Sequence, residues 1–167
     1  MKREAYFVEV VSGSVEDTQA FGERLGRALR AGDVVALRGE LGSGKTTLVQ
    51  GLARGLGLEP GTVKSPTFVL MREYRGVIPL IHIDGYRLQG APSIAWLDLD
   101  LLFSPRKVTV VEWAERFEGL LPEHAVELRL SHVSANRRRL AVSGTNTRSN
   151  EIMVQLSNME APVKRDA

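Results

Sequence analysis

Apolar residues along this chain recur at two spacings, and the change from one spacing to the other marks the elements. Residues 6–11 read as a first strand. Val15, Thr18, Phe21, Leu25, Ala28 and Leu29 then form one stripe at helical spacing. Ser14 has the character of an N-cap, with Asp17 three residues on as a shortened capping box, and Gly32 that of a C-terminal stop. Residues 34–37 are a short, β-branched apolar run, which predicts a buried strand; Leu48, Val49, Leu52, Ala53 and Leu56 return to helical spacing. Gly55, Gly57, Pro60 and Gly61 mark a loop. Residues 68–74 and 78–83 predict two strands joined by a turn at Arg75 and Gly76, a link short enough to require antiparallel pairing.

Beyond these, residues 90–106 are densely apolar around Trp96, Leu97, Leu99, Leu101, Leu102 and Phe103, and predict helical turns packed on a sheet. Residues 107–111 are a buried strand, 114–120 a short helix stopped by Pro122, and 125–130 with 139–142 a terminal hairpin. Residues 1–144 are expected to form one domain. Residues 145–167 change character and are expected to be a tail, with a weak strand over 151–156 and disorder over 161–167.

The link between the second strand and the second helix carries chemistry. Gly39, Gly44, Lys45 and Thr46 fit G-x-x-x-x-G-K-[ST], in the strand–loop–helix context that a phosphate loop needs. Backbone N–H groups and a helix N-terminus favour an anion, and Gly42 and Gly44 let the backbone close around phosphate oxygens. Gly42, Ser43, Gly44, Lys45, Thr46 and Thr47 are therefore candidate triphosphate contacts. Lys45 would meet the β- and γ-phosphates, and the Thr46 hydroxyl would hold Mg²⁺.

Composition narrows the class a little. With 43% hydrophobic and 25% charged residues over 167 positions, one globular domain with a real core is expected. No membrane span or signal peptide is visible. The absence of cysteine excludes disulfides and thiolate metal sites and is compatible with the cytoplasm. A net charge of +2 gives no argument for direct nucleic-acid binding, DNA included.

Two carboxylates end apolar strands. Val108-Thr109-Val110-Val111-Glu112 has the form of a Walker B strand, and Asp84 closes the strand before it. Carboxylates there would share a metal–phosphate site with Lys45 and Thr46, at the sheet edge where open α/β sheets bind ligands. Glu112 also reads as a surface carboxylate and Asp84 as a turn former before Gly85. His82 reads as a packed or hydrogen-bonded core histidine. Trp113 reads as core or as lining of the nucleotide pocket, and Arg137, Arg138 and Arg139 as a solvated turn with one phosphate contact in reach.

The ordered set of residues 39–47, Ser65-Pro66-Thr67-Phe68, His82-Ile83-Asp84-Gly85-Tyr86-Arg87-Leu88 and Glu112-Trp113 resembles the TsaE (YjeE) family over roughly residues 6–144. The resemblance implies an α/β, P-loop NTPase-type three-layer fold with a mixed sheet, parallel at its centre with antiparallel additions. It implies a cytoplasmic bacterial ATPase, using ATP and Mg²⁺, that supports a TsaB–TsaD complex in making threonylcarbamoyladenosine in tRNA, with tRNA met only through that complex. Thr46 and Glu112 would hold Mg²⁺, with Asp84 as a further metal-site carboxylate that supports hydrolysis. Thr67 and its neighbours Ser65 and Pro66 would form a switch-like loop at the γ-phosphate. Ser14 and Arg138 would contact the nucleotide. Where Gly85 stands the family usually has a larger residue.

Two other classes fit a phosphate loop. A small-molecule kinase would need a lid with arginines, and residues 88–106 hold only Arg106 at their end. A GTP switch would carry an Asn-Lys-x-Asp signature, and the chain has none.

Overall fold

The computed structural model describes residues 6–59, 61–64, 70–87 and 98–158. Strand β1 (Tyr6–Ser12) leads into helix α1 (Val15–Ala28). Ser14 caps α1 by accepting from Asp17 N at 3.0 Å, and the Asp17 carboxylate reaches back to Gly13 N. The expected stripe faces inward except at Val15, which is 57% exposed; Leu29 is buried but its backbone is already extended, so α1 stops before Gly32. Strand β2 (Val34–Arg38) follows, then α2 (Lys45–Gly55), β3 (Met71–Tyr74) and β4 (Leu80–Asp84). Of the helical turns expected over 90–106, α3 (Leu99–Leu102) is one; residues 88–97 lie outside the described residues. β5 (Val108–Glu112), a 3-10 turn at Ala114–Phe117, β6 (Val126–His132) and β7 (Arg138–Gly144) complete the sheet.

The sheet has seven strands in the order β1-β7-β6-β2-β5-β4-β3. β6, β2, β5 and β4 run parallel, and β3, β7 and β1 are added by antiparallel pairing. Both expected hairpins are present, as β3–β4 and β6–β7; residues 68 and 69 of the first lie outside the described residues. β2, β5 and β4 are buried at nearly every position because both faces are covered, whereas β6 alternates buried Val126, Leu128 and Leu130 with Glu127, Arg129 and Ser131. On one face Val35, Leu37, Val110, Leu128 and Leu140 pack under α1 and α2; on the other Ala36, Ile83 and Val111 pack under Leu102, Ala114 and Phe117.

The two helices on the first face meet through glycines. A Cβ on Gly22 or Gly26 of α1 would overlap the carbonyl oxygens of Leu48 and Leu52, and one on Gly51 or Gly55 of α2 those of Gln19 and Glu23. Backbone therefore lies on backbone, and α2 is seated closely against α1. The seat matters because the site begins at the first residue of α2.

The C-terminal segment departs from expectation. Residues 147–158 form helix α4 (Thr147–Asn158), which replaces the strand expected over 151–156. Asn146 accepts from Ser149 N at 2.9 Å and so opens the helix. Ile152, Met153 and Leu156 enter the same core as α1, each worth about 1.5–3 kcal/mol of apolar burial. Arg148 donates to both oxygens of the buried Asp33, at 2.9 and 2.6 Å, and to Ala28 O at 2.9 Å. The expected disorder over 161–167 lies outside the described residues.

Candidate functional site

The loop that joins β2 to α2 ends on Gly44, which sits before the helix with φ 102° and ψ 18°. A side chain in that left-handed geometry is strained, which accounts for glycine. No side chain among the described residues caps α2, so its first N–H groups are left for an external acceptor, an arrangement suited to phosphate. Lys45, the first residue of the helix, is 6% exposed. Its ammonium donates to Gly39 O at 2.6 Å and Glu40 O at 2.9 Å, and lies 4.4 Å from the centre of the Trp113 ring. Burial holds it below the ordinary lysine range, against the pull of Glu112, Glu115 and Asp84. A cation this poorly hydrated gains more than a surface lysine when an anion arrives.

The two carboxylates come together because β4 and β5 are parallel and in register, with Asp84 opposite Glu112. Both are buried, at 6% and 3% exposed. Thr46 Oγ1 stands 3.3 Å from Glu112 Oε1, and His82 Nε2 lies 2.6 Å from Glu112 Oε2. Asp84 Oδ1 accepts from Tyr86 N at 2.9 Å, so this carboxylate closes the turn that follows it as well as facing the cleft. Trp113, in left-handed backbone at φ 56°, turns its ring over Lys45 and towards Tyr86, 5.2 Å away. Gly85 permits the approach of the next segment: a Cβ there would lie 2.8 Å from the Phe117 ring.

Two clefts meet on the loop. One, of about 410 Å³, is lined by Lys45, Thr46, Asp84, Tyr86, Glu112 and Trp113. The other, of about 470 Å³, is lined by Ser14, Thr18, Asn136 and Arg138 among others. Gly42, Gly44 and Thr47 belong to both, so the two form one track across the phosphate loop. Ser14 and Arg138 thus share a cleft across the sheet end, although one Arg138 nitrogen is engaged by the carbonyls of Ser134, Ala135 and Arg137. Ser43 turns its hydroxyl inward, 0% exposed, beneath the loop. Thr67, with Ser65 and Pro66, lies outside the described residues. Sequence reasoning left out Tyr86, Thr18 and Asn136. Tyr86 had a signal, its place two residues after Asp84; Thr18 and Asn136 had none, since only the fold brings them to the loop.

Thr46 Oγ1 and the carboxylates of Glu112 and Asp84 are hard oxygen donors. Among the described residues no three His, Cys, Asp or Glu side chains gather as a cage. That set suits Mg²⁺, which takes one or two protein oxygens and leaves the rest to phosphate and water.

A parallel strand, a glycine loop, a helix opening on Lys-Thr and a carboxylate on the next strand define a P-loop nucleotide-binding protein. Within that class the match is specific: the family model described as Threonylcarbamoyl adenosine biosynthesis protein TsaE covers residues 12–140, and the chain belongs to the TsaE family. It is 44% identical over 135 residues to the tRNA threonylcarbamoyladenosine biosynthesis protein TsaE of Streptomyces coelicolor, covering 76% of this chain and 90% of the relative. The protein of the same name from Treponema pallidum is 38% identical, over 80% of this chain and 98% of its own. The crystal structure of Bacillus subtilis YdiB superposes with a TM-score of 0.78 at 29% identity, over 93% of this chain and 97% of that one. No helix among the described residues is long and apolar enough to cross a membrane.

Proposed function

We propose that this protein binds ATP with Mg²⁺ and hydrolyses it as a subunit of the bacterial machinery that makes N6-threonylcarbamoyladenosine in tRNA, supporting turnover of a TsaB–TsaD-type complex. The observation that carries the reading is the convergence of Lys45, Thr46, Asp84 and Glu112 on one cleft within the family-matched region. The adenosine would lie in the Ser14–Arg138 cleft and the phosphates over Gly42, Gly44 and Thr47. Lys45 would exchange its loop carbonyls for the β- and γ-phosphates. Thr46 and Glu112 would hold the cation, which when bound neutralises charge developing on the phosphoryl oxygens. Asp84, fixed by Tyr86 N, would orient the attacking water. Trp113 screens Lys45 from solvent on the open side. The work would be done in the cytoplasm, with tRNA reached only through the complex.

The described residues offer few catalytic parts beyond these, which supports partner dependence. An arginine supplied in trans is worth about 10³–10⁵ in rate in other P-loop enzymes. ATP hydrolysis should be slow for the protein alone and rise with TsaB–TsaD, measured with and without tRNA. A fast rate alone, unchanged by partners, would instead favour an independent phosphotransferase, tested by ATP loss with candidate acceptors.

A further inference from the structure

β4 is buried along its length, and between the apolar Ile81 and Ile83 stands His82, 0% exposed. Among the described residues its imidazole has one hydrogen-bond partner, Glu112 Oε2 at 2.6 Å, and its Nδ1 has none. A buried ring with one nitrogen unsatisfied is less favourable than an aliphatic side chain of similar size. The other nitrogen must therefore do something that an aliphatic chain could not. A carboxylate that serves a cation only accepts hydrogen bonds, so in that role of Glu112 the donor is His82 Nε2–H. The terminal torsion of a glutamate is broad and soft. The His82 bond fixes it, and Glu112 Oε1 is then the oxygen that faces Thr46 Oγ1 at 3.3 Å.

The strand geometry allows this from below. His82 and Asp84 are two residues apart on one face of β4, and Asp84 is in register with Glu112 on β5. The ring therefore reaches the carboxylate from one step deeper in the sheet. His82 does not line the cleft that Glu112 lines.

We propose that His82 is a positioning residue: it commits one Glu112 oxygen to the protein and leaves the other for the cation that accompanies the nucleotide phosphates. This rests on the Mg²⁺–nucleotide reading above. It assigns no proton transfer to the imidazole. Partners that orient a metal-binding carboxylate typically matter by about 10–100-fold in metal affinity.

The test is ATP binding by the intact protein as Mg²⁺ is titrated, in wild type, His82→Leu and His82→Gln, with thermal unfolding of each. The three should bind ATP alike without Mg²⁺. His82→Leu should need about 10–100-fold more Mg²⁺ to reach half of the full gain in affinity. His82→Gln, whose carboxamide N–H can donate to the same oxygen, should stay close to wild type. If His82→Leu does not fold, His82→Asn takes its place, since its amide is too short to reach Glu112 and should shift the midpoint while Gln does not. A wild-type midpoint in the Leu or Asn variant overturns the proposal, as does a Gln variant no better than the others with native melting. Equal loss of affinity with and without Mg²⁺ also overturns it. A wild-type protein whose ATP affinity does not respond to Mg²⁺ overturns the nucleotide reading itself, and this inference with it.

Discussion

The loop between β2 and α2 and the helix α4 are both short segments, yet they take their shapes from different sources. The loop is set locally. Gly44 supplies a backbone geometry, Lys45 folds back on the carbonyls of Gly39 and Glu40, and each of these residues lies within a few positions of the next. Helix α4 is set from afar. Its Arg148 grips Asp33, 115 positions earlier in the chain, and Ile152, Met153 and Leu156 fill space under the sheet that residues far upstream leave open. A local pattern can announce a site whose chemistry depends on close neighbours. It announces a packed element only when periodicity is strong, and in α4 three apolar positions are not enough.

Removing α4 is the harshest way to break that contrast. A chain ending at Gly144 uncovers the space filled by Ile152, Met153 and Leu156. At about 1.5–3 kcal/mol each, the loss is roughly 5–9 kcal/mol, comparable with the whole stability of a small domain. Loss of the cooperative melt by circular dichroism is expected, although the phosphate loop is untouched. A native melt would mean that α4 is an appendage.

Arg148→Met separates the grip from the apolar burial. It leaves Asp33, 4% exposed, with an uncompensated charge and should cost about 3–5 kcal/mol in urea unfolding. The double variant Asp33→Asn, Arg148→Met should recover part of this. Unchanged ATP affinity in the folded fraction is expected, since neither residue lines the site clefts.

Lys45→Ala addresses the other region and should give the opposite profile. Losing the cation that meets the phosphates should weaken ATP binding by roughly 2–4 kcal/mol, on the order of 10²-fold in Kd by calorimetry, with little change in melting. Normal affinity and normal hydrolysis in that variant would end the phosphate-loop assignment.

Gly51→Ala tests where the two kinds of determination meet. Alanine is about 1 kcal/mol better than glycine inside a helix by propensity alone. Here its Cβ would overlap Gln19 O, so a net destabilisation of about 1–3 kcal/mol is expected from chemical unfolding. A more stable variant would show that α1 and α2 can separate freely.

Much of the site was legible before any fold was known. Strand, glycine loop and helix follow from residues 34–56. Asp84 and Glu112 were found as carboxylates closing apolar runs, although only the register of β4 with β5 sets them side by side. His82 was read as a core residue and is one; its bond to Glu112 crosses between strands and has no mark in local spacing. The helix at 147–158 did leave traces. Asn146 with Ser149 three residues later is a capping pair, and Ile152, Met153 and Leu156 share a helical face.

The sequence by itself located the phosphate loop between its strand and helix, all seven strands and the two hairpins, because glycine geometry, charge placement and apolar runs act over a few residues. The tertiary structure alone decided that Ser14 and Arg138 share a cleft, that Glu112 lies between Thr46 and His82, and that the last described helix packs into the core and is held by Asp33. The reason is physical. Hydrogen bonds and packing between residues 30 to 115 positions apart depend on strand order and helix seating, which no short window of a chain contains.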